Sequence, residues 1–105
     1  MSSEPTWQDV ASLDEFAATD AIGVDVGRRQ IAIYLVDGAV FATDNRCTHG
    51  DARLCDGFVE GHEIECPHHQ GRFDIRTGAA TGAPASVALA TYPARIEAGR
   101  VQLHL

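Results

Sequence analysis

Two short segments hold residues able to bind a metal. Cys47-Thr48-His49-Gly50 offers a thiolate and an imidazole two positions apart. Cys66-Pro67-His68-His69-Gln70-Gly71 offers a second thiolate with imidazoles two and three positions on, so His68 rivals His69. Sixteen residues lie between His49 and Cys66. Two soft sulfur donors and two borderline nitrogen donors make a metal-site composition, and a mononuclear zinc site is the obvious first reading. Zinc modules usually chelate through one Cys pair and one His pair. Here each segment mixes the two types. A structural zinc module with two Cys and two His ligands therefore stands as the alternative reading.

The rest of the chain must bring these segments together. Thr6–Val10 alternates and reads as a short first strand. Ser12 with Glu15 three positions later has capping-box spacing, which predicts one helical turn. Ile22, Val24 and Val26 alternate with Gly23 and Asp25, a half-buried strand. Ile31–Val36 is apolar throughout and suits a strand buried on both faces. Asp37-Gly38 is a hairpin signal, and Ala39–Ala42 returns towards Cys47. Asp56-Gly57 and Gly61-His62 are turns around a strand at Phe58-Val59. Glu63–Glu65 enters the second segment and Arg72–Ile75 leaves it. Thr77-Gly78 turns the chain, Ala79–Ser86 reads as an irregular loop, and Thr91–Glu97 with Arg100–Leu103 reads as a closing hairpin around Ala98-Gly99. Short strands with glycine-containing turns and almost no helix predict an all-β fold.

At 105 residues the chain is long enough for one domain with a modest core. The formal net charge is −7 and all eight cations are arginine, which argues against nucleic acid and an anionic membrane surface. It permits docking to a basic patch on a partner protein. The sequence holds no apolar run long enough to span a membrane and no secretory or twin-arginine signal, so the expected location is the cytoplasm. Three cysteines are too few for a disulfide framework, and in a reducing compartment Cys/His clusters read as metal sites.

With their surroundings, the two segments resemble the Rieske iron–sulfur family. The motifs are C-T-H-G at Cys47–Gly50 and C-P-H-H-Q-G at Cys66–Gly71. The likeness runs through Trp7, the strands before Cys47, Asp56-Gly57, Gly71-Arg72-Phe73-Asp74, Thr77-Gly78, Pro84 and the last hairpin. It implies a Rieske iron–sulfur fold of stacked antiparallel sheets with two cluster-binding loops at one tip. It implies a single domain over 1–105, with its cluster-binding part at about 44–84. It also implies one 2Fe–2S cluster, with Cys47 and Cys66 on the inner iron and His49 and His69 on the outer one. Gly50, Pro67, His68, Gln70, Gly71 and Phe73 would form the cluster environment, and Pro84 would lie in a third, covering loop.

The sequence CPHHQGRFDIRTGAATGAP is similar to free-standing ferredoxins of bacterial aromatic ring-hydroxylating dioxygenases. That resemblance implies a monomeric single-electron carrier without chemistry of its own, serving a flavoprotein reductase fed by NAD(P)H and a terminal oxygenase. A Rieske-like small subunit bound to another oxidoreductase is a second alternative. Such subunits often lack the ligands, whereas this chain has all four.

Exchanging two thiolates for two neutral imidazoles makes the oxidised assembly neutral rather than doubly negative, which raises its potential. Respiratory relatives carry two further cysteines, where this chain has Ala52 and His68. They also place a serine and a tyrosine near the sulfurs, where this chain has Gly71 and Phe73. The loss of those donors to sulfur predicts a potential on the order of −150 mV, at the low end of the Rieske range. Cys55, His62 and His104 read as bystanders, Cys55 half-packed and both histidines solvated. Asp44, Asp51, Asp56, Glu60, Glu63 and Glu65 form a solvated acidic face suited to docking.

Overall fold

The computed structural model describes residues 6–48, 52–68 and 70–105, and in them the alternating segments become strands. β1 (Trp7–Ser12) runs into a 3₁₀ turn at Leu13–Phe16. There the Ser12 hydroxyl accepts the Asp14 N–H and the Glu15 carboxylate accepts the Ser12 N–H at 2.9 Å. The predicted capping box is present. β2 (Ala21–Val26), β3 (Arg29–Val36) and β4 (Ala39–Asp44) form an antiparallel meander. Asp37 and Gly38 turn the chain from β3 to β4 with φ of 52° and 81°, the hand that matches strand twist. β5 (Phe58–Glu60), β6 (Glu63–Glu65), β7 (Arg72–Asp74) and β8 (Ala80–Gly82) follow, then β9 (Thr91–Tyr92), β10 (Ala94–Glu97) and β11 (Arg100–His104).

Among the described residues the strands make three antiparallel sheets, in the orders β1-β11-β10, β2-β3-β4-β9 and β5-β6-β7-β8. The β2-β3-β4-β9 sheet is the middle layer. On one face, Ile31, Ile33, Val40 and Ala42 pack with Ala11, Phe16, Val101 and Leu103. On the other, Ala21, Ala32 and Tyr34 pack with Cys47, Leu54, Ile64, Cys66 and Phe73. Strand β3 supplies both cores by simple alternation, so Ile31 to Tyr34 are all 0% exposed. Its uninterrupted apolar run thus reflects a strand with two dry faces, as expected. Among the described residues, no helix is long and apolar enough to cross a membrane.

Two sequence expectations need correcting. The segment from Ala79 to Ser86 is not irregular throughout. Ala80–Gly82 is strand β8, paired to β7 despite weak strand residues, because β7 offers an open edge. The closing hairpin begins at Ala94 rather than Thr91. Pro93 has no N–H to give a ladder, and the chain changes sheets there, from β9 beside β4 to β10 beside β11.

Candidate metal centre

The Cys47 and Cys66 segments are each built as a hairpin tip, and the two tips close in the same way. The Cys47 N–H donates to the Ala52 carbonyl at 2.9 Å, and the Cys66 N–H donates to the Gly71 carbonyl at 2.7 Å. Each bond therefore reaches five residues ahead. Below the first tip, Arg46 bridges Arg53, and the Leu54 N–H donates to the Asn45 carbonyl at 2.7 Å. Below the second, Glu65 pairs with Arg72 and Ile64 with Phe73. In the second tip Gln70 takes a φ of 62° and donates its N–H to the Cys66 carbonyl at 3.2 Å.

Both cysteines point into one apolar cluster, Cys47 at 2% and Cys66 at 1% exposure. Phe73, Leu54, Ala52, Ala85 and Leu89 share that cluster. Gly71 is buried, Pro67 half-buried, and His68, Gln70 and Pro84 exposed. His49, Gly50 and His69 lie outside the described residues, as does Asp51. Two buried thiols at matching positions on two facing hairpins, with an imidazole two or three residues after each in sequence, fit a 2Fe–2S group. The donor set leaves the oxidised group without net charge, which an apolar enclosure favours.

A third loop lies against the first tip. The Thr48 hydroxyl donates to the Val87 carbonyl at 2.7 Å, and Ala85 and Leu89 from the same loop are buried. The loop follows Pro84, whose peptide bond is cis. Its far end is fixed by the Leu89 N–H, which donates to the Gly78 carbonyl at 2.8 Å. Gly78 has a φ of +80°, and a Cβ there would fall 2.2 Å from the Leu89 oxygen, so the close approach needs glycine.

The acidic residues are partly organised by arginine. Arg72 reaches Glu60 at 3.0 Å, Glu63 at 3.3 Å and Glu65 at 2.9 Å, while Arg53 pairs with Asp56. Asp44 accepts the Tyr92 hydroxyl. The Arg76 guanidinium beside Asp74 holds that carboxyl below its ordinary range. Cys55 is half-buried as expected, with its sulfur accepting from Asn45. His62 is not simply solvated, because its ring stands edge-on to Phe41 at 5.7 Å and is half-buried. His104 lies tilted against Trp7 at 5.7 Å and is likewise half-buried. Sequence reasoning missed Asn45 and the role of Thr48. Their side chains act on partners 10 and 39 residues away, and no local pattern marks them.

The family profile described as Rieske [2Fe-2S] domain matches residues 6–93. The chain is 52% identical over 99 residues to the ferredoxin component of naphthalene 1,2-dioxygenase/salicylate 5-hydroxylase systems of a Ralstonia species, covering 94% of this chain and 95% of that one. Among solved structures, a ferredoxin of Sphingomonas yanoikuyae B1 superposes with a TM-score of 0.87 at 40% identity, over 95% of this chain and 99% of that one. A structure described as a complex of reduced oxygenase and oxidized ferredoxin in carbazole 1,9a-dioxygenase matches with a TM-score of 0.85 at 31% identity, over 96% and 94%.

Proposed function

The chain belongs to the Rieske 2Fe–2S domain family, and from that premise we propose that it is the ferredoxin of an aromatic ring-hydroxylating dioxygenase system. It takes electrons from a flavoprotein reductase that uses NAD(P)H and passes them singly to a terminal oxygenase. It works as a cytoplasmic monomer with no chemistry of its own. The likeness to named ferredoxin components over nearly the full chain supports this reading.

Cys47, Cys66, His49 and His69 would hold the cluster, within a cluster-binding part at about 44–84 of a single domain over 1–105. When bound, the cluster accepts and releases one electron. The chain's own residues set the conditions for that exchange. The buried apolar side chains of Leu54, Phe73 and Leu89 keep water from the cysteine side. The two equal hairpin closures fix where each thiolate sits, which limits rearrangement when charge arrives. The Thr48–Val87 bond holds the loop after Pro84 against the first tip. The acidic face around Arg72 docks to basic patches on the partners.

The observation that carries the reading is the pair of buried cysteines, each of which donates its N–H to the carbonyl five residues on. The test is the purified protein. It should be red-brown, contain equal iron and acid-labile sulfide, and give an EPR signal after reduction with an average g below the free-electron value. A flavoprotein reductase with NADH should bleach it, and an oxygenase should restore the colour. A colourless protein holding one zinc ion would end the reading in favour of a zinc module.

A further inference from the structure

Asn45 stands immediately before the first hairpin tip and is 4% exposed, yet every polar group of the residue has a partner. Its N–H donates to the Gln30 carbonyl at 2.9 Å and its carbonyl accepts the Leu54 N–H at 2.7 Å. Its Oδ1 accepts the Cys55 N–H at 2.8 Å, and its Nδ2 donates to Cys55 Sγ at 3.2 Å. The Cys55 N–H can only donate, so it fixes which side-chain atom is oxygen. One residue thus ties β3, the entry to the hairpin and the exit from it.

A second observation points to the same pair. Strand β2 passes directly over it at Gly23. A Cβ on Gly23 would lie 2.9 Å from Cys55 Sγ and 3.0 Å from Asn45 Nδ2. Glycine weakens a strand interior, and alanine would ordinarily improve it. Here alanine would push on the Asn45–Cys55 contact.

We infer that Asn45 is a positioning residue for the metal centre. Acting through Cys55, it fixes the base of the first hairpin and so the place of the Cys47 thiolate two residues on. The third cysteine then serves as a hydrogen-bond acceptor for the amide. This inference rests on the reading of Cys47 as a ligand.

The test uses the cluster-loaded protein with Asn45→Ala, Gly23→Ala and Cys55→Ser, and with Val101→Ala as a control far from the hairpin in the other core. The readouts are the EPR g values, the midpoint potential and the rate of cluster release to a chelator. Asn45→Ala leaves the Cys55 N–H without its partner, which predicts release about tenfold faster and altered g values. Gly23→Ala should alter both in the same sense. Cys55→Ser should stay close to wild type, because its hydroxyl oxygen still accepts from Nδ2. Val101→Ala should lower the unfolding midpoint with g values unchanged. Wild-type g values and release rate in Asn45→Ala would overturn the inference, as would the same g shift in Val101→Ala. Should Asn45→Ala fail to fold, Gly23→Ala decides by the same criteria. A Cys47→Ser protein that keeps its cluster would sink the ligand reading itself. Loss of the cluster there, beside an unaffected Asn45→Ala, would overturn the positioning role alone.

Discussion

The Thr48 hydroxyl donates to the Val87 carbonyl at 2.7 Å, joining residues 39 apart in sequence. This bond links the first hairpin tip to the loop that follows Pro84. A single neutral hydrogen bond contributes about 0.5–1.5 kcal/mol net. Thr48→Val should therefore let the loop open roughly two- to tenfold more often. Amide exchange at Leu89 and cluster release to a chelator both measure this, and Thr48→Ser should behave as wild type. Unchanged exchange in Thr48→Val would mean that packing of Ala85 and Leu89 alone holds the loop.

The ligand assignment separates neighbouring residues of the same type. Cys66→Ser and His69→Ala should abolish the visible chromophore, and Cys66→Ser should also lower the unfolding temperature. Cys55→Ser and His68→Ala should keep both. His68 is exposed and Cys55 already has Asn45 against its sulfur. A bleached Cys55→Ser or His68→Ala protein would show that the wrong residue of a pair was chosen.

The potential follows from what surrounds the cysteines. Phe73 is 0% exposed in the cluster of Cys47 and Cys66, and its ring offers sulfur no hydrogen bond. The midpoint at neutral pH should fall on the order of −150 mV. Phe73→Tyr and Gly71→Ser, which add hydroxyls, should move it upward. Voltammetry on the three proteins checks this, and a wild-type value well above zero would contradict it.

Alkaline stability should depend on the two tyrosines. Thr43 Oγ1 donates to the Asp44 carbonyl at 2.8 Å, so the Tyr34 hydroxyl, 2.9 Å away, is the donor to Thr43. Burial pushes the Tyr34 phenol far above its ordinary value of 10.0. Burial, then the Asp44 carboxylate, also pushes Tyr92 up. For a group raised on folding, the stabilisation is fully present below the unfolded value and lost as pH rises above it. The unfolding free energy should hold to about pH 10, then fall with a slope near 1.4 kcal/mol per pH unit from Tyr34, with Tyr92 adding to the fall in the same direction. Tyr34→Phe should cost about 1 kcal/mol at neutral pH and make the alkaline fall shallower. An equally steep fall in Tyr34→Phe would assign the effect elsewhere.

The proposed docking through the acidic face predicts electron transfer that is sensitive to salt. With a net charge of −7, and Glu60, Glu63 and Glu65 outnumbering Arg72, the bimolecular rate with the oxygenase should drop as the Debye length shrinks from about 10 to about 3 Å. Stopped-flow rates from 0.1 to 1 M salt, on the order of those same screening lengths, measure this. A flat response would remove electrostatics from the docking step.

Much of this was legible because the determining contacts are local. Ser12 and Glu15 close their cap within one turn, and Asp37-Gly38 sets its hairpin from its own backbone preferences. The metal-type residues announce themselves by chemistry, and the fold brings Cys47 and Cys66 into one cluster. What the sequence hid depends on partners distant along the chain. Ala80–Gly82 is a strand only because β7 has an edge to pair with. His62 packs on Phe41, from another sheet, and Asn45 clamps a cysteine across the hairpin. None of these leaves a periodic or spacing signature.

Strand β3 has a consequence for engineering. Ile31 and Ile33 belong to one core, Ala32 and Tyr34 to the other, and Leu35 and Val36 continue the division. The wall of the metal-holding half is thus the reverse side of the wall of the other half. A graft of that half onto a foreign scaffold must import β3 and then find a new lining for Ile31 and Ile33. The electron-carrying portion is therefore not a detachable cassette, and circular permutation within the Asp37-Gly38 turn is a gentler route to rewiring it than excision.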